Sequence, residues 1–333
     1  MRPTSDTTLQ RPDLGQAVWE VMQEAPTMGY VGMQVMPYFP VANNAAEYPV
    51  IPKEALFNLL DTARGPLGHY NRSEDEFESG FYRTQENGLE RRVDDRYLAL
   101  YASLFDYELT IAKILMNDIM RAQEWRISQK LFNTTNFTAH NASAAWSTSD
   151  SATPKADVDA GKAAMRLLGI VPNCLVIPYA VFLDLQKVSE IKTQVYQLFP
   201  DAAKTGQVGI EHLRTYFDIP QILVAGALYN NANRGQNADL AEMWGSRYAQ
   251  LCRVATAGAD IIEPCIGRTF RWNEGASQEV IVEEYYSNEV RSNILRVRHD
   301  TSEAFLASYD ESGTAKSEIS KACGYLIDTT AAT

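Results

Sequence analysis

Residues 285–306, YYSNEVRSNILRVRHDTSEAFL, place Arg291, Arg296, Arg298 and His299 in one strand-like stretch of alternating apolar and charged residues. Cations at that spacing can bind an anion: a phosphate backbone, an acidic substrate, or the carboxylates of another protein surface. The other candidates for chemistry are scattered. His69, His140, His212 and His299 fall in four regions, and a histidine without a partner nearby in sequence reads as a surface or hydrogen-bonded residue. Cys174, Cys252, Cys265 and Cys323 have neither CxxC spacing nor a histidine at metal spacing, so they read as buried thiols. Asp94–Asp95 and Glu283–Glu284 are adjacent carboxylates, and on a strand adjacent side chains face opposite sides. No phosphate-cradling GxxxxGK[ST], no GxGxxG, no HExxH and no GxSxG occurs. Trp125 reads as a core residue of the long helix, and Trp244 and Trp272 as packing anchors. The pattern points away from an enzyme and carries no cofactor motif.

The chain is 333 residues long with a net charge of −12, 45% hydrophobic and 22% charged residues. That composition is a folded one with about two domains. The acidic balance argues against a dedicated nucleic-acid binder. No stretch approaches the roughly 20 apolar residues of a membrane span, and the N-terminus has no apolar signal region.

The elements that would position these residues can be read along the chain. Residues 14–25 suit a short helix ending before Pro26. Residues 26–53 hold five prolines among apolar residues, which predicts an extended arm with edge strands, lying against something else such as another chain. KEALFNLLDTAR, 53–64, predicts a short helix. In 68–96, Glu74, Asp75, Glu76 and Glu78 crowd the first half and Arg91, Arg92 and Arg96 the second, with Arg83 between. Gly80 and Asn87-Gly88 read as turns of a projecting hairpin. Residues 94–133 read as one long helix with an apolar stripe through Leu104, Tyr107, Ile111, Ile114, Leu115, Ile119, Ala122 and Trp125. The Ser/Thr/Asn-rich 133–154 is a boundary. Helices and strands alternate from 155 to about 266 as a compact mixed domain. RTFRW, QEVIVEEYYSN and RSNILRVRHD then return as strands that should pack under the long helix.

The order of these parts resembles that of a tailed-bacteriophage major capsid protein of the HK97-like fold. ERRVDDRYLALYASLFDYELTIAKILMNDIMRAQEWRISQKLFN is similar to the entry into that family's spine helix, and GIVPNCLVIPYAVFLDLQKVSEIK to its central segment. IEHLRTYFDIPQILVAGALYN, MWGSRYAQLCRV, the TFRW to RSNILRV run and GYLIDTTAAT follow in the family's order. The resemblance implies an α+β fold: an N-terminal arm (1–66), a projecting E-loop hairpin (67–93), a P-domain (94–154 and 267–333) whose spine helix is about 94–133, and a compact α/β A-domain (155–266). It implies a non-enzymatic major capsid, or head, protein that self-assembles into hexamers and pentamers of an icosahedral shell around packaged double-stranded DNA. The implied place is the virion, after synthesis in the host cytoplasm, with no membrane and no cofactor.

The implied partners are further copies of the chain, a separate scaffolding protein, a portal protein at one vertex, a decoration or cementing protein, and DNA by weak non-specific contact. The separate scaffold is expected because no long helical leader precedes the arm. No lysine lies between Lys53 and Lys113, so the loop lacks the lysine of a lysine–asparagine staple and a non-covalent shell is expected. Candidate inter-subunit contacts are Glu74, Asp75, Glu76, Glu78, Arg83, Arg91, Arg92, Arg96, Arg291, Arg296 and Arg298. The alternatives are an encapsulin-like nanocompartment on the same fold, a phage tail protein forming tubes or rings, and, remotely, an α/β enzyme within 155–268.

Overall fold

The computed structural model describes residues 8–51, 57, 59–64, 68–72, 77–101, 103–256, 260–273, 280–309 and 315–330. In chain order these form β1 (Leu9–Gln10), α1 (Pro12–Glu24), a 3₁₀ turn (Ala25–Met28), α2 (Gly32–Val35), β2 (Tyr38–Val41), β3 (Ala45–Val50), β4 (Glu78–Arg83), β5 (Gln85–Asp94), α3 (Asp95–Tyr101) and α4 (Tyr107–Leu131). There follow β6 (Ala139–Asn141), α5 (Pro154–Leu167), β7 (Cys174–Pro178), α6 (Tyr179–Leu185), α7 (Ser189–Leu198), α8 (Pro200–Thr205), α9 (Ile210–Phe217), β8 (Gln221–Ala225), β9 (Leu228–Asn230), β10 (Leu240–Glu242) and β11 (Tyr248–Cys252). The chain closes with β12 (Arg268–Trp272), β13 (Ile281–Ser287), β14 (Ser292–Ala304), β15 (Ser308–Tyr309), β16 (Ala315–Ser317), α10 (Ile319–Ala322) and β17 (Gly324–Asp328).

The expected single long helix is two. Asp106 sits in an extended conformation and its carboxylate accepts the Leu109 N–H, which caps α4 and ends continuity with α3. Leu104, placed on the apolar stripe by its spacing, therefore falls in the break and is 73% exposed. The 25 residues of α4 span ~37 Å. Its buried face runs through Ile111, Leu115, Ile119, Gln123, Glu124, Ile127 and Leu131. Ile114 and Trp125 point away from that face.

A six-stranded sheet packs on this helix. Its centre is β14, which pairs with β5 along one edge and with β13 and then β12 on the other. β1 and β2 extend it, β2 running parallel to β12. Pro40 is tolerated because β2 is an edge strand. Asn87 and Gly88 are not a turn. They lie within β5 opposite His299 and Arg298, and a Cβ on Gly88 would come within 2.9 Å of the Arg298 Cβ. Gly80 likewise lies inside β4, under the Tyr48 ring. Both glycines serve close approach. β4 pairs antiparallel with β3, so residues 45–50 and 78–83 form the two sides of one ribbon.

The region of the proline-rich arm folds onto its own chain. Tyr30, Val31, Val35 and Met36 join the main core beside Ile119 and Ile127 of α4. Burial of this apolar run is thus satisfied within one copy, and α2 replaces part of the expected extended backbone. Residues 53–56 and 58 of the expected short helix lie outside the described residues. Residues 59–64 are not helical, and Leu59 is fully exposed.

The second sheet has the order β6-β17-β11-β7-β8. Its strands β7, β8 and β11 come from the expected mixed domain. Its other two are β17, from the C-terminal segment, and β6, from the expected boundary loop. GYLID is apolar on both faces, as suits a strand buried between neighbours. All four cysteines are buried free thiols, with Cys174 and Cys252 directly opposite in neighbouring strands.

Candidate assembly surfaces

The cationic strand is answered by acids of its own chain. Side chains of β14 alternate between the face that packs on α4, with Leu295, Val297, His299 and Glu303, and the outer face, with Ile294, Arg296, Arg298 and Asp300. On the outer face Arg296 donates to Glu90 Oε1 at 2.6 Å and to Glu283 Oε2 at 3.3 Å. Arg298 donates to Glu283 Oε1 at 3.0 Å and approaches Glu86 at 3.8 Å. β13, β14 and β5 are thus joined by one alternating network. Gly88 leaves the room in which the Arg298 side chain crosses β5. The network nearly cancels its own charge, so this strip offers little to a phosphate backbone.

The inner face is different. Arg126 of α4 forms a two-pronged pair with Glu303, Nε at 3.0 Å and Nη2 at 2.8 Å, and Lys130 donates to the Glu303 carbonyl. Burial works against the ionised form of Glu303, but Arg126 still holds its carboxyl below the usual range. His299 beside them is buried, and burial together with Arg126 and Arg271 lowers its pKa to about 4. It is a neutral core histidine.

A second buried carboxylate, Glu124, joins three segments. It is only 2% exposed. It accepts the backbone N–H groups of Val31 (2.9 Å) and Gly32 (2.8 Å) and the indole N–H of Trp244 (2.8 Å). Burial pushes its carboxyl up, against those donors. Gly32 is required there, because a Cβ would lie 2.5 Å from Glu124 Oε2. Trp244 is the packing anchor expected of it, with Phe132 edge-on at 5.0 Å. Spacing gave no sign of Glu124, since an acid in a helix usually reads as a solvated position.

The remaining candidate contacts divide by surroundings. Glu78 pairs with Lys316 (2.7 Å) and accepts from Ser308, which keeps its carboxyl low. Arg91 faces α4 and pairs with Asp118 at 2.7 Å. Its neighbour Arg92 faces outward opposite Ile294. Among the described residues Arg83, Arg92, Arg96 and Arg291 form no ion pair. All four are exposed, and Arg291 holds a left-handed turn, φ 47°, between β13 and β14. Glu74, Asp75 and Glu76 lie outside the described residues. The histidines are not brought together: His140 stacks on Tyr325 at 4.0 Å, and His212 Nδ1 accepts the Gly209 N–H.

Two exposed apolar groups stand out. Phe57, Leu59, Leu60, Tyr70, Phe77 and Phe81 belong to the β3–β4 hairpin and its loop. Tyr97, Leu100, Leu104 and Phe105 crowd the α3–α4 junction, with Tyr101 between them. An open cleft of about 460 Å³ lies where the β4–β5 link meets the C-terminal half of α4, walled by Arg83, Asn87, Trp125, Arg126, Gln129 and Lys130. Among the described residues no group of His, Cys, Asp or Glu could hold a metal, and no helix is long and apolar enough to cross a membrane.

No family model and no curated protein sequence matches the chain. Solved structures do. A phage-related protein from Bordetella bronchiseptica matches with TM-score 0.68 at 19% identity, covering 97% of this chain and 98% of that one. A virus-like particle from Pyrococcus furiosus matches at 0.53 and 11% identity, covering 94% and 98%. The capsid of a native GTA particle matches at 0.51 and 10% identity, covering 91% of each chain. The fold shared along nearly the whole chain is the HK97-like capsid fold.

Proposed function

We propose that this chain is a shell-forming major capsid protein whose hexamers and pentamers close into an icosahedral head around packaged double-stranded DNA. The observation that carries the reading is end-to-end coverage: the shared fold accounts for 97% of this chain and 98% of a phage-related protein. In this reading β3, β4 and their loop are the E-loop. The α4 helix with the six-stranded sheet is the P-domain, and the β6-β17-β11-β7-β8 sheet with its helices is the A-domain. The apolar side chains left in water on the hairpin and at the α3–α4 junction are what copies would cover for one another. No catalytic role is assigned to any residue.

The charge-cancelled outer sheet face suits a container that loads and releases DNA, with only weak non-specific contact. A separate scaffolding protein, a portal and a cementing protein belong to the same proposal. The test is electron microscopy of gradient-purified particles from the chain expressed alone and with its scaffold. Closed shells of uniform diameter are the expected result, and a monomer under both conditions would contradict it. Mass spectrometry of shells from the native source separates a DNA-filled head from a compartment filled with a cargo enzyme.

A further inference from the structure

The open cleft beside α4 carries more positive charge than the chain neutralises. Trp125, Arg126, Gln129 and Lys130 line it from one face of the last turns of α4, and Arg83 closes it from the β4–β5 link. Glu303 is the one acid in the lining, against three cations, and it is already spent: both of its carboxylate oxygens accept from Arg126. Lys130 turns to the Glu303 backbone carbonyl instead. Burial lowers the Lys130 pKa, Glu303 offsets this in part, and the neighbouring Arg126 adds to the lowering. Arg83 is exposed and has no ion pair among the described residues. Cations held together in a cleft with one spent acid form a site for an anion, which would also favour the charged form of Lys130.

The same helix sets an aromatic ring beside those cations. Trp125 and Gln129 occupy one i, i+4 ridge of α4, and Arg126 and Lys130 the adjacent one, so ring and cations run side by side. Tyr229 leans on one side of the Trp125 ring, centroids 4.7 Å apart at 57°, and Trp125 remains 37% exposed. Gln129 adds a carboxamide that can both donate and accept. The volume of about 460 Å³ lies in the range of small-molecule sites. A bare phosphate would use the cations and leave the ring in water, and an apolar ligand would leave the cations unanswered. We propose that this cleft binds a nucleoside monophosphate, with the base laid on Trp125 and the phosphate held by Arg83, Arg126 and Lys130. A free nucleotide and the phosphorylated end of a single DNA strand present the same chemistry. The site is complete within one copy, so it does not depend on the shell reading.

Calorimetric titration of the unassembled full-length chain with adenosine 5′-monophosphate tests the site. Saturable binding is expected at a Kd of roughly 0.1 mM or tighter, with adenosine and inorganic phosphate each weaker by about tenfold or more. Trp125→Leu should weaken the nucleotide by about tenfold and leave inorganic phosphate unchanged. Arg83→Gln, at an exposed position without an ion pair, should weaken the nucleotide and phosphate together and reduce the salt dependence of both. Its melting temperature should match that of the wild type, so this variant decides the matter if the tryptophan variant fails to fold. No saturation by about 10 mM nucleotide would overturn the proposal. Equal affinity for the nucleotide and for inorganic phosphate would overturn it too, and would mean an adventitious ion only. The two sources of the ligand are separated by competition. A 5′-phosphorylated single-stranded oligonucleotide that displaces the mononucleotide places the ligand at a strand end, and one that fails to do so in excess confines the site to free nucleotides.

Discussion

Glu124 and Trp244 are 120 positions apart and meet through one hydrogen bond of 2.8 Å in the core. The same carboxylate also accepts from Val31 and Gly32, so the long helix, the N-terminal segment and the β10–β11 link converge on one side chain. Three donors aimed at one buried acid leave no tolerance for a partner that itself donates. Glu124→Gln replaces an accepting oxygen by an NH₂ group that faces one of those N–H groups. The expected loss is about 3 kcal/mol of folding stability, from one buried donor left unpaired and a charge-assisted bond weakened. Urea denaturation of the unassembled protein measures it. A loss below the scatter of surface substitutions would contradict the role given to Glu124.

His299 gives the pH dependence a sign. Its pKa is about 4 in the fold against 6.5 in an open chain. Between those values the unfolded state binds a proton that the folded state refuses, so its contribution falls as pH drops from 6.5 to 4. Across the full window the loss is about 3 kcal/mol. Glu124 works in the opposite direction, because its raised carboxyl takes up a proton in the fold first. Comparing the wild type with His299→Gln isolates the histidine: the variant's stability should depend less on pH across that window. Parallel curves for the two proteins would contradict it.

Arg91 and Arg92 are neighbours with different duties. Arg91 pairs with Asp118 on the long helix, whereas Arg92 points outward. Arg91→Glu sets like charges against each other within one copy and should cost about 1 kcal/mol of monomer stability. Arg92→Glu should leave the monomer's denaturation midpoint unchanged and weaken assembly. Sedimentation and thermal melting of the two single variants separate these effects. Equal behaviour would contradict the assignment of faces.

Gly88 is an approach site. Gly88→Val places a branched side chain where the Cβ alone would lie 2.9 Å from that of Arg298. The expected cost is about 2 kcal/mol, with the Arg298–Glu283 pair displaced. Gly88→Ala should cost less, since only one methyl must be accommodated. Melting temperatures of the two variants give the order, and an unchanged valine variant would rule out the close contact.

Much of this architecture was legible along the chain because it is written in local periodicity. Apolar alternation marked β13 and β14, and the five-residue apolar run CLVIP marked β7. The break before α4 carried a readable signal as well, Asp106 followed by Glu108 at a helix start, but the apolar stripe continuing through Leu104 hid it. What could not be read depends on partners far away in the chain. Gly88 looks like a turn until Arg298 lies across it. GYLID is apolar in any setting, and only its pairing with β11 and β6 places it in the second sheet. Glu124 looks solvated until Val31, Gly32 and Trp244 close around it. The cationic strip suffered most, since the acids that cancel it, Glu86, Glu90 and Glu283, come from two other strands whose register local pattern does not reveal.

The central claim is that copies of this chain close on one another, and imaging of the purified protein tests it most directly. Negative-stain electron microscopy of gradient fractions, from the chain alone and with the proposed scaffolding protein, should show closed particles of uniform diameter with six-fold and five-fold clusters on their surface. A chain that sediments as a folded monomer in both preparations would contradict the account.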